Sequence, residues 1–211
     1  MITVTGQFTL TTKCDAIVSL TATDPLLGEL IDLIGELTLP LRDDYFASLV
    51  RSIIGQQLSV KAATTIWNRI VQACGEMKPE MILAFDEDKL RAAGVSRPKI
   101  IYVKDLAGKV SSGEVNLARL PEMTDDEVIR TLTIIKGIGV WTAQMFLIFS
   151  LGRPDVLSIA DLGLRRAVQW LYHLDEMPGA KDLEQYGEKW RPYRSAASLY
   201  LWEAINRGHV R

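Results

Sequence analysis

Cysteine and histidine are scarce in this sequence. Its 211 residues include two cysteines, Cys14 and Cys74, and two histidines, His173 and His209. The cysteines stand far apart without forming a C-x-x-C pair, and neither histidine has a partner at the spacing of metal ligands. This scarcity argues against a zinc site or an iron–sulfur cluster.

Long hydrophobic runs are also missing. No apolar stretch approaches the roughly 20 residues that span a bilayer, and the first residues lack the basic start and long apolar centre of a secretory signal. We therefore expect a cytoplasmic protein, associated with the nucleoid if the source is a bacterium. The sequence also contains no internal repeat, heptad run or low-complexity stretch.

The charges of the chain are close to balanced. Lysine and arginine together number 24 against 26 acidic residues, which gives a net charge of −2 and a pI of about 5.8. Such a chain lacks the broad basic surface that coats nucleic acid without specificity. Backbone amides and small basic groups also bind phosphate, so local contacts stay open. Two local basic groups are candidates for a positive face, or else for solvated helix surface: Arg97, Lys99 and Lys104, and Lys189, Arg191 and Arg194.

Helical periodicity is abundant. Hydrophobic residues make up 48% of the chain and recur at helical spacing, which predicts an all-α fold. Thr124 followed by Glu127 is typical of a capping box at a helix start. Residues 2–10 alternate apolar and threonine positions, which is typical of a short strand or hairpin, with a disordered start as the alternative. The predicted helices cover 24–35, 43–54, 59–74, 86–93, 97–111, 124–135, 141–151, 161–172, 180–189 and 192–206, with loops near 75–79, 112–121 and 152–155.

The turn Lys136-Gly137-Ile138-Gly139 joins two of these helices. Glycine adopts positive φ at little cost, so both glycines allow the chain to reverse and another backbone to approach. The first N–H groups of the following helix lack intrahelical acceptors and lie at its positive end. Gly137, Gly139 and Val140 are therefore predicted to bind an anion such as phosphate. The alternative is a tight helical hairpin with a glycine cap.

Three blocks of sequence, in this order along the chain, resemble one protein family. They are FASLVRSIIGQQLS at 46–59, LTIIKGIGVWTAQMF at 132–146 with DVLSIADLGLRR at 155–166, and KWRPYRS at 189–195. Together they resemble the helix-hairpin-helix DNA glycosylases, and more narrowly the bacterial 3-methyladenine DNA glycosylase II group. The resemblance extends over about residues 24–207. The endonuclease III and adenine glycosylase branches differ from this chain because they carry a four-cysteine cluster.

The resemblance implies a helix-hairpin-helix glycosylase fold, with two helical lobes around a cleft. One lobe would come from the middle of the chain and the other from both ends. Residues 24–211 would form this core. Residues 1–23 would be a short N-terminal segment in place of the larger α/β domain of the family relative. A monomer is the simplest expectation, because one catalytic unit serves one lesion.

Asp161 is the predicted catalytic residue. An aspartate at a helix start is usually an N-cap, but the matching acid of the family is catalytic, and both roles are compatible. Breaking an N-glycosidic bond leaves positive charge on the sugar, which a nearby carboxylate stabilises while it orients a water molecule. One acid suffices when the leaving base is already cationic, as an alkylated purine is.

The resemblance also places Trp141, Trp202 and Met145 in the base pocket. An indole ring attracts a flipped cationic base by stacking and cation–π contact, and core packing is the alternative for each tryptophan. Met145 replaces a tyrosine of the family, so the pocket is less aromatic. In the bifunctional branch a lysine occupies the position of Trp141 and forms a Schiff base with the sugar. Tryptophan cannot, so we expect no lyase activity.

The turn Gly55-Gln56-Gln57-Leu58 matches the family segment that fills the gap left by a flipped base. Gln57 lies at the wedge position, where the close relative has leucine, and Gln56 and Leu58 are predicted to contact DNA beside it. A polar interhelical turn is the alternative. The family hairpin also binds a monovalent cation through backbone carbonyls, which here would belong to Thr133, Ile135 and Ile138. No other cofactor is implied.

The predicted function is excision of alkylated purines, such as 3-methyladenine and 7-methylguanine, from double-stranded DNA. Two alternatives stay open. A glycosylase for uracil, deaminated adenine or mismatched bases would keep the same machinery and differ only in the pocket. A non-catalytic helix-hairpin-helix DNA-binding module would have no use for Asp161 together with Trp141 and Trp202.

Overall fold

Nearly all of the regular structure is helical in the computed structural model, which describes residues 6–210. The all-α class is confirmed. The part of the strand prediction that falls on residues 2–5 lies outside the described residues. The helices are α1 Asp15–Thr23, α2 Pro25–Ile34, α3 Tyr45–Gly55, α4 Val60–Cys74, α5 Pro79–Ala84, α6 Glu87–Ala92, α7 Arg97–Ser111, α8 Asp125–Thr133, α9 Val140–Phe149, α10 Leu162–Leu171, α11 Ala180–Glu188 and α12 Arg194–Asn206.

Three helical segments were not predicted. Helix α1 is rich in β-branched residues, which have weak helix propensity, and it forms because Ala16, Ile17 and Leu20 are buried. Helix α5 spans only six residues, too few for a periodic pattern to be recognised. A 3-10 turn, Leu117–Glu122, lies in the stretch that was predicted as a loop.

The first two helices lie in sequence between the two strands of a small antiparallel sheet. Strand β1, Gln7–Leu10, pairs with strand β2, Leu37–Pro40, with Phe8 opposite Leu39. Phe8 and Leu10 are buried, as the alternating pattern of β1 predicts. The partner strand β2 was not predicted, because its four residues are too few for their alternation to be recognised and they end in a proline.

The chain divides into two compact units. The first unit combines the chain up to Leu41 with the chain from Leu147 onward, and the second unit runs from Arg42 to Phe146. In the first unit, buried side chains of α1, α2, α10 and α12 form the core. In the second, the core lies between α3, α4 and the helices from α5 to α8. Within residues 6–210, no helix is both long and apolar enough to cross a bilayer.

A buried carboxylate ties the first unit together. Asp24 is only 3% exposed, and its side chain caps α2 by accepting a hydrogen bond from the backbone N–H of Leu27 at 3.3 Å. Its other oxygen accepts hydrogen bonds from the Tyr172 hydroxyl and, at 3.0 Å, from the Trp190 indole N–H. Three donors from separate parts of the chain thus offset the cost of burying this acid.

Replacing Tyr172 by Phe should lower the free energy of unfolding at neutral pH by about 1–3 kcal/mol, because buried Asp24 loses a donor. The variant should also respond differently to alkali. Burial and the hydrogen bond to Asp24 raise the pKa of Tyr172 above its ordinary value of 10.0. The native state therefore keeps this proton after the unfolded chain has released it, so the stabilisation is complete below the ordinary pKa and falls as the pH rises above it.

Urea unfolding of both proteins from about pH 8 to pH 11 tests this. The difference in stability between wild type and Tyr172→Phe should narrow above about pH 10. A constant difference across the range would contradict the role given to Tyr172.

Candidate functional site

Asp161 lies at the start of α10, in the first unit, as predicted. Its Oδ1 accepts a hydrogen bond from the backbone N–H of Leu164 at 2.8 Å, so the residue is the N-cap of the helix. The same oxygen lies 3.4 Å from the indole nitrogen of Trp202, which donates to it. Asp161 stays partly exposed. The N-cap and the candidate catalytic acid are thus the same accessible carboxylate.

Gly163 keeps space open beside this carboxylate. A Cβ atom at Gly163 would lie 3.0 Å from Asp161 Oδ1 and 3.9 Å from Trp202 Cδ1. The glycine was present in the block that carries the family resemblance, but no role was predicted for it. The Trp202 ring also packs against Phe149, with 5.9 Å between the ring centroids. Trp202 therefore contacts an aromatic neighbour as well as the acid.

The loop that leads into Asp161 is fixed to the start of α12. Asp155 Oδ1 binds Arg194 Nε at 2.7 Å. The Ser195 hydroxyl donates to the Arg153 carbonyl at 2.7 Å and accepts from the Val156 N–H at 3.0 Å. Helix α12 also carries Trp202, so the same helix positions Trp202 and the loop that precedes Asp161. Arg191 binds Asp155 too, at 2.8 Å, so two members of the second basic group are engaged within this unit.

The hairpin between α8 and α9 lies in the second unit. Gly137 has φ of 80°, and a Cβ there would lie 2.2 Å from Tyr102 Cδ2, so glycine is required on both counts. The expectation of positive φ at Gly139 is wrong. Gly139 is not among the residues with positive φ, and a Cβ there would meet nothing within 4 Å. The described structure therefore gives no internal reason for glycine at this position.

The hairpin exposes the N–H groups that were predicted to bind phosphate. The Lys136 N–H donates to Asp105 Oδ2 at 2.9 Å, and the Ile138 N–H to the Ile135 carbonyl at 3.1 Å. Among residues 6–210, no acceptor takes the N–H of Gly137, Gly139 or Val140. These three amides are available to an anion.

The carbonyls predicted to hold a monovalent cation also belong to this turn. Over the described part of the chain, the carbonyls of Thr133 and Ile138 accept no hydrogen bond, while that of Ile135 accepts only the bond from Ile138. Carbonyl oxygens with unused lone pairs are suitable ligands for such an ion, so the residues present fit the prediction.

The predicted wedge turn is a strained β-turn. The Leu58 N–H donates to the Gly55 carbonyl at 3.2 Å. Gln56 has φ −54° and ψ 132°, and Gln57 has φ 57°, the left-handed conformation that the third residue of a type II turn requires. Glycine or asparagine is usual there. The exposed Gln57 side chain therefore stands on a backbone that glutamine rarely adopts, which is typical of a functional position.

Gln56 is engaged inside the protein. Its side-chain amide donates to the Gly137 carbonyl at 2.7 Å, which joins the wedge turn directly to the hairpin. The prediction that Gln56 contacts DNA is not tested by this bond, but the bond gives its side chain an internal partner. Leu58, 39% exposed, stays a predicted DNA contact.

Trp141 and Met145 lie on α9, within the second unit. Trp141 is 48% exposed, so core packing does not account for it. Met145 is half-buried. Both stay predicted residues of the base pocket.

The first basic group does not form a joint positive face. The Lys99 ammonium donates to the carbonyls of Ile54 and Gln56, at 2.8 and 2.6 Å. Lys104 binds Glu87 at 3.1 Å. Two of the three side chains thus have partners within the second unit.

Residues 50–192 match the family model described as the HhH-GPD superfamily base excision DNA repair protein. This chain belongs to that superfamily. The helix-hairpin-helix fold inferred from three sequence blocks is therefore confirmed, and the superfamily places the chain in base excision DNA repair.

Members of the HhH-GPD superfamily with 3-methyladenine glycosylase names are similar to this chain. The Bacillus subtilis protein YfjP, whose name assigns it provisionally to the DNA-3-methyladenine glycosylases, is 38% identical over 79% of this chain, which spans 61% of YfjP's length. A crystal structure of a Bacillus halodurans DNA-3-methyladenine glycosidase is 43% identical with a TM-score of 0.84, covering 93% of this chain and 91% of that chain. The Schizosaccharomyces pombe 3-methyladenine DNA glycosylase Mag1, in complex with abasic DNA, is 33% identical with a TM-score of 0.82, covering 92% and 97%.

Gly139→Ala should separate DNA binding from folding. The backbone there suits alanine and the space is open, so the free energy of unfolding should stay within about 1 kcal/mol of wild type. A methyl group at the mouth of the anion site should lower affinity for duplex DNA about tenfold, because at least one phosphate bond is lost. Gly137→Ala is the contrasting variant: it should lose stability, since both φ and the Tyr102 ring oppose a side chain.

Fluorescence anisotropy with a labelled duplex and urea unfolding measure these two effects. Unchanged DNA affinity in a stably folded Gly139→Ala protein would contradict phosphate binding at this hairpin.

Gln57→Gly should likewise impair base release while leaving the free energy of unfolding nearly unchanged. Glycine relieves the left-handed strain, worth about 1–2 kcal/mol, but adds a similar entropy cost in the unfolded chain, so stability should change little. Base release from damaged duplex should fall about tenfold or more, because no side chain fills the gap left by the flipped base. Single-turnover assays measure this, and an unimpaired Gln57→Gly protein would exclude Gln57 as the wedge.

Proposed function

We propose that this protein is a monofunctional DNA glycosylase that releases alkylated purines, such as 3-methyladenine and 7-methylguanine, from double-stranded DNA. The observation that carries the proposal is the pair formed by Asp161 and Trp202 at the start of α10. The names of its relatives support the same substrate class. Because the chain spans only part of YfjP, the substrate rests on the site as well as on the names.

Asp161 supplies the negative charge that the reaction needs. As the glycosidic bond breaks, positive charge develops on the sugar, and a carboxylate near C1′ stabilises that charge and orients the attacking water. Helix N-cap bonding fixes the Asp161 side chain in place, and Gly163 leaves room beside Oδ1. An alkylated purine leaves as a neutral base, so no separate general acid is required.

Trp202 presents an aromatic ring beside the acid. A cationic methylated base is attracted to an indole face by about 0.5–2 kcal/mol, whereas an unmodified base gains only stacking. Phe149 backs the ring of Trp202, so the ring is held ready for a base. The preference for cationic bases then follows from the ring, and the reaction itself from Asp161.

The hairpin holds the DNA strand. The free N–H groups of Gly137, Gly139 and Val140 bind a backbone phosphate, and the carbonyls of Thr133, Ile135 and Ile138 hold a monovalent cation that adds positive charge near that phosphate. Gln57 fills the gap that the flipped base leaves. The protein would act on cellular DNA in the cytoplasm as a monomer.

Strand cleavage is not part of the proposed activity. Trp141 stands where the bifunctional branch has its Schiff-base lysine. Lys136 is the nearest lysine in sequence. Its side chain is 65% exposed and its ammonium lies 3.9 Å from Asp105 Oδ1, so it is paired as an ordinary surface cation. The product is therefore an intact abasic site.

Asp161→Asn is the decisive variant. Asparagine caps a helix as well as aspartate does, so stability should change by less than about 0.5 kcal/mol. Release of methylated purines from duplex DNA should fall about 100-fold or more, because the charge that stabilises the sugar cation is lost. Strand breaks should appear only after alkali treatment. Chromatography of the released bases and gel analysis of the strands measure both effects.

Asp44→Asn is the matched control, since Asp44 caps α3 by the same bond, to the Ala47 N–H at 2.9 Å. It should release bases at the wild-type rate. Equal release by Asp161→Asn and wild type would mean that another acid is catalytic. Release of uracil or hypoxanthine but not of methylated purines would favour the deaminated-base alternative, and DNA binding without any release would favour the non-catalytic module.

A further inference from the structure

One face of α7 contacts both the wedge turn and the hairpin. Lys99, Tyr102 and Asp105 are spaced by three residues, so they follow one side of the helix. All lie in the second unit, together with the Gly55–Leu58 turn and the Lys136–Val140 hairpin. Lys99 contacts the wedge turn, and the other two contact the hairpin.

Lys99 fixes the wedge turn at its start. Its ammonium bonds to the carbonyls of Ile54 and Gln56, at 2.8 and 2.6 Å. These are carbonyls at the C-terminal end of α3, which lack intrahelical donors and carry the negative end of the helix dipole. Burial lowers the pKa of Lys99, which agrees with an ammonium taken partly out of water. The turn that carries Gln57 is thus clamped immediately before Gln57.

Tyr102 and Asp105 fix the hairpin. The Tyr102 ring lies against Gly137, where a Cβ would come within 2.2 Å of it. Asp105 Oδ2 accepts the Lys136 N–H at 2.9 Å. The ring packing keeps the chain reversal in place, and the hydrogen bond to Asp105 occupies an N–H next to those left free for phosphate. The three open amides therefore belong to a backbone segment that α7 contacts at Lys136 and Gly137.

Gln56 joins the two turns directly. Its amide donates to the Gly137 carbonyl at 2.7 Å across 81 residues of sequence. Because Gln56 immediately precedes Gln57, this single bond sets how far the wedge residue lies from the phosphate-binding amides. A wedge must enter the base stack at a fixed distance from the phosphate that the hairpin holds.

We propose that Gln56, Lys99, Tyr102 and Asp105 are positioning residues that hold the wedge turn and the hairpin as one DNA-gripping element. This inference rests on the proposed function. Phosphate bound at the hairpin then places Gln57 at the base pair to be opened. These four residues act through Gln57 and the hairpin amides, and loss of the Gln56 or Lys99 bonds impairs base displacement more than it impairs binding.

Gln56→Met tests the proposal, because methionine keeps the length of the side chain and removes the donor. The probe is a duplex with a tetrahydrofuran abasic analogue and 2-aminopurine beside it, whose fluorescence rises when the neighbouring stack is opened. Wild type should raise this fluorescence. Gln56→Met should bind the duplex within about threefold of wild type, while its fluorescence gain and its single-turnover base release fall about 3- to 10-fold, the effect of one hydrogen bond.

Gln72→Met, on the exposed surface of α4, is the matched control and should behave as wild type. Lys99→Met is the second variant and, assayed well below its own melting temperature, should reproduce the Gln56→Met pattern. The proposal is overturned if Gln56→Met equals Gln72→Met, if affinity and fluorescence gain fall in parallel, or if wild type opens no stack. The fluorescence readout needs no catalysis, so a protein that opens the stack in this way but releases no methylated base would refute the proposed function alone.

Discussion

The first turn of every α-helix leaves backbone N–H groups without intrahelical acceptors, and the candidate site depends on how two helices meet that requirement. At α10, Asp161 fills the position and becomes fixed by doing so. At α9, Gly139 offers no side chain, and the amides of the hairpin are left open. The same property of the backbone thus fixes the acid at one helix and leaves amides open to an anion at the other.

Gln57 and Trp141 each carry a feature that the proposed function uses. Gln57 adopts a left-handed backbone, and Trp141 exposes about half of a large ring. Under the proposed function, Gln57 would meet the DNA strand and Trp141 the displaced base. The neighbouring contacts that support these positions, such as those of Tyr102 in one unit and Ser195 in the other, are ordinary ones.

Much of this architecture could be predicted from the sequence. Helix α7 has the predicted bounds, the capping box at Thr124 and Glu127 is present, and Asp161 lies at a helix start as predicted. What could not be predicted are contacts between residues distant in sequence, such as Gln56 with Gly137, or Asp24 with Tyr172 across 148 residues. Local periodicity carries no information on such pairs. Gly139 is a different case. Its residue type favoured positive φ, but its conformation depends on the hairpin as a whole and φ is not positive.

The pairing of basic side chains with carboxylates has an effect on how the protein searches DNA. Arg191 and Arg194 share Asp155, and Lys104 binds Glu87. Free lysines and arginines bind DNA largely by releasing its condensed counterions, which makes affinity fall steeply as salt is added. Backbone dipoles at a hairpin displace few of these ions. Under the proposed function, the part of the affinity that comes from the hairpin amides would therefore vary little with ionic strength.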